Sequence, residues 1–225
     1  MNKKRIGDIC DVLNGFAFKS TNYVDNGIRV IRITNVQKGY IEDDKPEFCP
    51  LEEQDNISNY MLKENDLLLS LTGNVGRVAL LNKDYLPAAL NQRVACLRPK
   101  ANNINIKYLF YCLLSNKFEE DCIRSSNGIA QKNMSTEWLK NYEIIVPSMD
   151  EQLKIVDSFD KCMKILNIVK HKYNSLNELV KARFVEMFGD PFINEKGWKT
   201  GKLSELCKIN YYKAKLKRMM AKYGY

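Results

Sequence analysis

The sequence predicts an α+β protein: a domain of short strands followed by one very long helix. Two observations separate these parts. Up to about residue 100, apolar side chains come in brief runs rich in β-branched residues and broken by glycine and proline. From Ile106 they recur at helical spacing, and the stretch from Met149 to Phe188 contains neither glycine nor proline. A chain of 225 residues is long enough for one domain with a substantial appendage.

Taken in order, RIGDICDVL at 5–13 reads as a short amphipathic helix and NGFAFKS as a loop. IRVIRITNV at 28–36 alternates as a strand does. KGYIEDDKPEFCP is mixed and reads as surface. DLLLSLTGNVGRVALL reads as strand, turn, strand, and NQRVACLRP as a further strand closed by Pro99. Ile106, Leu109, Phe110, Leu113, Leu114, Phe118 and Cys122 then mark a helix over 106–123. SSNGIAQKNMS is a polar loop. A short helix over Thr136–Lys140 and a strand YEIIVP, ended by Pro147, complete the domain.

Ser148 and Glu151 stand three apart ahead of apolar periodicity, the signature of a capping box. The helix they open is expected to run from Met149 to Phe188. Forty residues at 1.5 Å each span about 60 Å. Val156, Phe159, Met163, Leu166, Tyr173, Leu176, Val180, Phe184 and Met187 form its apolar stripe, interrupted at Lys170 and Asn177. A helix of this length asks for a second helix against that stripe. The expected occupant is another chain or copy; a hairpin within this chain is the alternative. Gly189-Asp190-Pro191 ends the helix. Beyond it, KLSELCKI at 202–209 faintly repeats RIGDICDV at 5–12.

The formal charge of +8 is unevenly placed. Residues 191–225 hold nine Lys/Arg and two acids, so the preceding 190 residues carry a net of only +1. Bulk charge therefore does not make the main body a nucleic-acid binder, and any such site must be a local arrangement. The basic end region reads as a nucleic-acid arm, a disordered remnant, or the product of a shifted reading frame. No apolar run approaches the length of a membrane span, and MNKKR opens no signal sequence, so a soluble, cytoplasmic protein is expected. The seven cysteines form no close pairs and read as reduced core thiols.

Little in the sequence carries chemistry. Gly73 and Gly76 lie three apart and are followed by Arg77 and Val78, which fails the G-x-x-x-x-G-K-[ST] pattern of a phosphate loop. Asp43 with Asp44, and Glu119 to Asp121, lack repeated ligand spacing. The single histidine, His171, has no evident nucleophile to serve. No catalytic residue, metal or cofactor is expected. Recognition requires less: polar side chains on loops, aimed at base edges and phosphates. The candidates are Lys19 and Ser20; Arg32, Asn35 and Lys38, with Asn74 and Arg77 of the glycine turn; and Gln131, Lys132 and Asn133. For Arg32 a buried salt bridge is the alternative.

Several segments together resemble the DNA specificity subunit of type I restriction-modification systems. They are IGDICDVLNGFAFKS, GIRVIRITNVQKG, NDLLLSLTGNVGRVALLNK, AALNQRVACLRPK, NGIAQKNMSTEWLKNYEIIVPSMDEQLKIV and LVKARFVEMFGDP, in the family's order over about residues 5–191. The most specific are Ile144, Pro147 and Gln152 of Ile-x-x-Pro-x-x-x-x-Gln, and the closing FVEMFGDP. The resemblance implies a target recognition domain at 1–147, a spacer helix at 148–188 and, at 189–225, a basic tail that starts a second repeat. In the family two such units make one subunit, each reading half of a split double-stranded DNA site. Their spacer helices pair as an antiparallel coiled coil. Modification subunits methylate adenine, and a motor-endonuclease subunit joins the assembled complex. With one unit, this sequence is expected to act as a homodimer of half subunits. The alternatives are a coiled-coil interaction protein that does not bind DNA, or a silent truncated specificity cassette.

Overall fold

The computed structural model describes residues 2–101, 104–126, 133–202 and 205. The chain divides into two units, Met1–Lys164 and Ile165–Tyr225. In chain order the elements are β1 (Asn2–Arg5), α1 (Ile6–Ile9), β2 (Cys10–Asn14), β3 (Ile28–Ile31), β4 (Phe48–Cys49), β5 (Leu67–Ser70), β6 (Val78–Leu80), β7 (Ala88–Leu90), β8 (Val94–Pro99), α2 (Ile106–Leu113), α3 (Asn116–Ser125), α4 (Thr136–Asn141), β9 (Glu143–Val146) and α5 (Met149–Phe188).

The first unit is built around an antiparallel sheet in the order β2-β8-β5-β6. A smaller sheet, β4-β3-β7, pairs β3 with β7 in parallel and with β4 antiparallel. Strand β1 pairs with β9. Side-chain alternation then decides the layers. Leu67, Leu69, Ala95 and Leu97 meet Ile6, Ile9, Leu109, Phe118 and Leu139 on the helical side. Leu68, Val94 and Cys96 meet Ile31, Ala88 and Leu90 of the smaller sheet. Strand β5 is covered on both faces, with every residue buried, which explains its unbroken apolar run.

Three expected elements are corrected. Residues 5–13 form a single helical turn, α1, and then pair with β8 from Cys10 to Asn14; cross-strand bonding and burial override the helical pattern. The strand expected over 28–36 stops at Ile31. Asn35 Oδ1 accepts the Arg32 backbone N–H at 2.9 Å and turns the chain. The helix expected over 106–123 is two helices. Ser115 Oγ accepts the Phe118 N–H at 3.3 Å, starting α3 afresh. Strands β1, β4 and β7 had no separate signal.

Helix α5 has the expected bounds. At its start the Ser148 N–H donates to Glu151 Oε2 at 3.0 Å and the Glu151 N–H to Ser148 Oγ at 3.4 Å, a reciprocal capping box. Within the first unit, α5 is docked on α2. Buried Gln152 accepts the Asn105 N–H at 2.8 Å and donates to the Pro147 carbonyl at 3.0 Å. Phe159 stacks on Tyr111 with ring centroids 4.9 Å apart. Asp160 takes the Tyr111 hydroxyl at 2.6 Å and Lys107 Nζ at 2.7 Å. Two stripe residues also meet the domain itself: Val156 is buried in its core, and Phe159, still half exposed, stacks on its Tyr111 ring.

In the second unit Leu166, Tyr173, Leu176, Val180, Phe184 and Met187 are all exposed, as are Ile165, Ile168, Val169 and Leu179. The helix ends at Gly189, in the left-handed region at φ +78°. Its last carbonyls are taken by side chains that follow: Lys196 Nζ reaches Glu186 O at 3.0 Å and Met187 O at 2.6 Å, and Trp198 Nε1 donates to Phe188 O at 2.7 Å. A cation here also meets the negative end of the helix dipole. The faint repeat at 202–209 falls mostly outside the described residues.

Candidate nucleic-acid interface

The two sheets bring the polar loops to one end of the first unit. Strands β2, β3, β5 and β7 run toward this end, finishing at Asn14, Ile31, Ser70 and Leu90, while β6 and β8 start from it at Val78 and Val94. The loops that emerge there are 15–24, 32–42, 71–77 and 91–93. Asn133 joins them through a bridge to Thr72.

Lys19 and Ser20 are exposed on the first loop, beside a cleft of about 410 Å³ lined by Phe16, Phe18, Asn22 and Tyr23. Asn74 is exposed at the tip of the glycine turn, and Asn133 is exposed beside it. Gln131 and Lys132 lie outside the described residues.

Four candidates stand at the same end but are engaged within the protein. Asn35 is buried: besides holding the Arg32 N–H, its Nδ2 donates to Glu42 O at 2.8 Å. It shapes a turn and presents no free edge. Arg32 is salt-bridged to Glu47 at 3.2 Å, donates to Lys45 O at 3.1 Å and lies over the Tyr23 ring. Burial pushes the Tyr23 phenol up, opposed by the Arg32 cation. Lys38 reaches Glu119 at 2.6 Å and Asn116 at 2.9 Å on α3. The Arg77 guanidinium donates to Gln37 Oε1, so it braces one loop against the next.

The glycine turn is the hairpin expected. Leu67 to Leu69 pair antiparallel with Leu80 to Val78. Ser70 Oγ accepts the Arg77 N–H at 3.0 Å and donates to Asn74 O at 2.5 Å, tying both sides of the turn. Gly76 has φ +82°, and a Cβ there would lie 2.9 Å from Cys122 Cβ, so neither the backbone nor the space admits a side chain.

The residue reading missed Gln92 and Arg93, exposed on the turn between β7 and β8. Their segment, NQRVACLRP, was read as continuous strand. The available signal was Asn-Gln-Arg ahead of the first β-branched residue, a polar triplet that suits a turn better than a strand.

The family model described as Type I restriction modification DNA specificity domain matches residues 1–178. The type I restriction enzyme EcoAI specificity subunit of Escherichia coli is 31% identical over 172 residues, covering 74% of this chain and 29% of that protein. The MjaVIII specificity subunit of Methanocaldococcus jannaschii is 26% identical over 183 residues, covering 80% of this chain and 42% of that one. The chain thus spans less than half the length of these curated relatives. In fold it resembles the HsdS subunit from Thermoanaerobacter tengcongensis, with TM-score 0.56 and 21% identity over 76% of this chain and 39% of that one. It likewise resembles the type I restriction-modification S subunit from M. genitalium, with TM-score 0.55 and 16% identity over 83% of this chain and 46% of that one. With the family match running from the first strand well into the long helix, the chain belongs to the type I restriction modification DNA specificity domain family.

Proposed function

We propose that this chain is a sequence-reading, non-catalytic component of a type I restriction-modification assembly, acting in the cytoplasm on double-stranded DNA. Residues 1–147 are the recognition domain in this reading, 148–188 the spacer helix and 189–225 the start of a second repeat. The observation that carries the reading is the gathering, at one end of the sheets, of loops with exposed polar side chains: Lys19, Ser20, Asn74, Gln92, Arg93 and Asn133. Such loops suit the major groove, where all four base pairs are distinguishable. Modification subunits supply the adenine methyl transfer, for which the base must leave the stack. The motor-endonuclease subunit joins through the same assembly.

Self-association through the helix is the second part of the proposal. Leu166, Tyr173, Leu176, Val180, Phe184 and Met187 lie exposed on the second unit, and an apolar stripe of that length is stable in water only when covered. An antiparallel pair of copies covers it and supplies two recognition domains. Expression with the cognate modification subunits, followed by genome-wide mapping of methylated adenine, tests both parts. A split palindromic motif is the expected result. An asymmetric motif overturns the homodimer. Absence of both methylation and duplex binding overturns DNA recognition itself.

A further inference from the structure

We propose that Arg93 is the phosphate anchor of the recognition domain, the contact that sets the register of the reading loops on the duplex; this rests on the DNA-reading function proposed above. The turn that carries it is the junction of the loop end. The Asn91 N–H donates to Ile31 O at 3.2 Å, at the close of β3. The Gln92 N–H donates to Phe16 O at 2.9 Å, and the Phe16 N–H donates to Leu90 O at 2.8 Å, in the loop after β2. Arg93 O accepts the Leu71 N–H at 3.0 Å, at the start of the glycine turn. The Arg93 N–H is held by Asn91 Oδ1 at 3.3 Å. One short turn is thus bonded to two of the other loops and to the end of the strand that leads into the third. The fit is tight, since a Cβ on Gly15 would run into the Asn91 and Leu90 backbone.

The side chain is as free as its backbone is fixed. Of the cations at this end, Arg32 and Lys38 are in salt bridges and Arg77 is held by Gln37. Among the described residues of this group, Lys19 and Arg93 alone have a charged end with neither an ion pair nor a hydrogen bond. Lys19 sits on a loop whose nearby bonds are local, Asn22 N–H to Lys19 O and Tyr23 N–H to Ser20 O. Arg93 stands on the fixed turn. A guanidinium on a rigid mount loses little freedom on binding and presents a fork matched to phosphate oxygens. A contact at the junction positions several loops together, which is the role of a backbone contact; a base reader governs one letter.

The test uses the full chain co-purified with its modification subunits. Its binding is measured over a salt series to a duplex carrying its methylation motif and to a scrambled duplex of equal length. Arg93→Ala is expected to weaken both duplexes by the same factor and to reduce the salt slope by about one per bound copy. Arg93→Lys should keep the slope. Arg93→Gln, which keeps a polar, hydrogen-bonding side chain without the charge, should behave as Arg93→Ala and guards against a packing effect. Loss confined to the motif duplex, with the slope unchanged, overturns the anchor in favour of base reading. Unchanged binding overturns it outright. Failure of the unsubstituted chain to bind either duplex overturns the parent reading and the anchor together.

Discussion

Gln152 shows how a residue can be legible as a signature and opaque as a cause. Its spacing from Ile144 and Pro147 carries part of the family resemblance in the sequence, yet its work is to join the capping residue of α2 to the carbonyl that precedes α5. Asn105 lies 47 positions away, beyond the reach of any local pattern. Gln152→Leu keeps the bulk and orphans the Asn105 N–H, so a loss of about 1–3 kcal/mol is expected in urea unfolding. Asp160 and Asp121 act at the same scale. Hydrogen bonds from Lys107 and Tyr111 hold the Asp160 carboxyl below the usual range, and that from Tyr142, helped by Lys117 and Arg124, does the same for Asp121. A depressed carboxylate adds stability that is complete above its unfolded pKa and is lost as pH falls toward its folded one. Unfolding midpoints should therefore drop as pH falls below about 4, where unfolded aspartate titrates. Asp160→Asn should lower stability at neutral pH and shrink that acid-side drop.

Among the elements, legibility followed the distance over which the determining contacts act. Helix α5 was readable at both ends because its cap, periodicity and glycine stop are local. Ser148→Ala should cost about 0.5–2 kcal/mol in a urea titration of the first unit. The hairpin β5–β6 was readable for the same reason. Gly76→Ala forces a side chain into the left-handed region and toward Cys122, so a penalty of at least about 1–2 kcal/mol is expected in thermal or urea melts. Strand β2 was misread as helix because its fate is set by β8, more than eighty positions onward. Val156 belongs to the periodic stripe of α5, but only the packing of the domain reveals that its core takes that residue.

For the whole molecule, the net charge of only +1 over the first 190 residues gave fair warning that bulk charge does not mark a site. The arrangement of loops at one sheet end was not readable, since it depends on which strands pair and in which direction. Among the candidates, only Arg32 carried a sign in the sequence of the salt bridge that engages it; the other engaged residues and the free ones looked alike. The apolar stripe was readable, and its remaining exposed part makes a prediction at this scale. Replacing Leu176 and Val180 together with lysine should convert a dimer to a monomer in sedimentation at micromolar concentration. The urea transition of the first unit should hardly move, because neither residue belongs to its core.

The bonds that gather the loops around residues 91–93 run largely from main chain to main chain. Such bonds are indifferent to which side chain each residue carries. Lys19, Ser20, Asn74 and Gln92 can therefore be exchanged with little harm to folding, whereas Asn35, Ser70 and Asn91 cannot, because their side chains hold the backbone. The domain is built to tolerate a change of lettering on a fixed frame. In the DNA-reading role proposed above, substitutions at the first group alter the letters read at small thermodynamic risk, and the frame sets the limits of that evolvability.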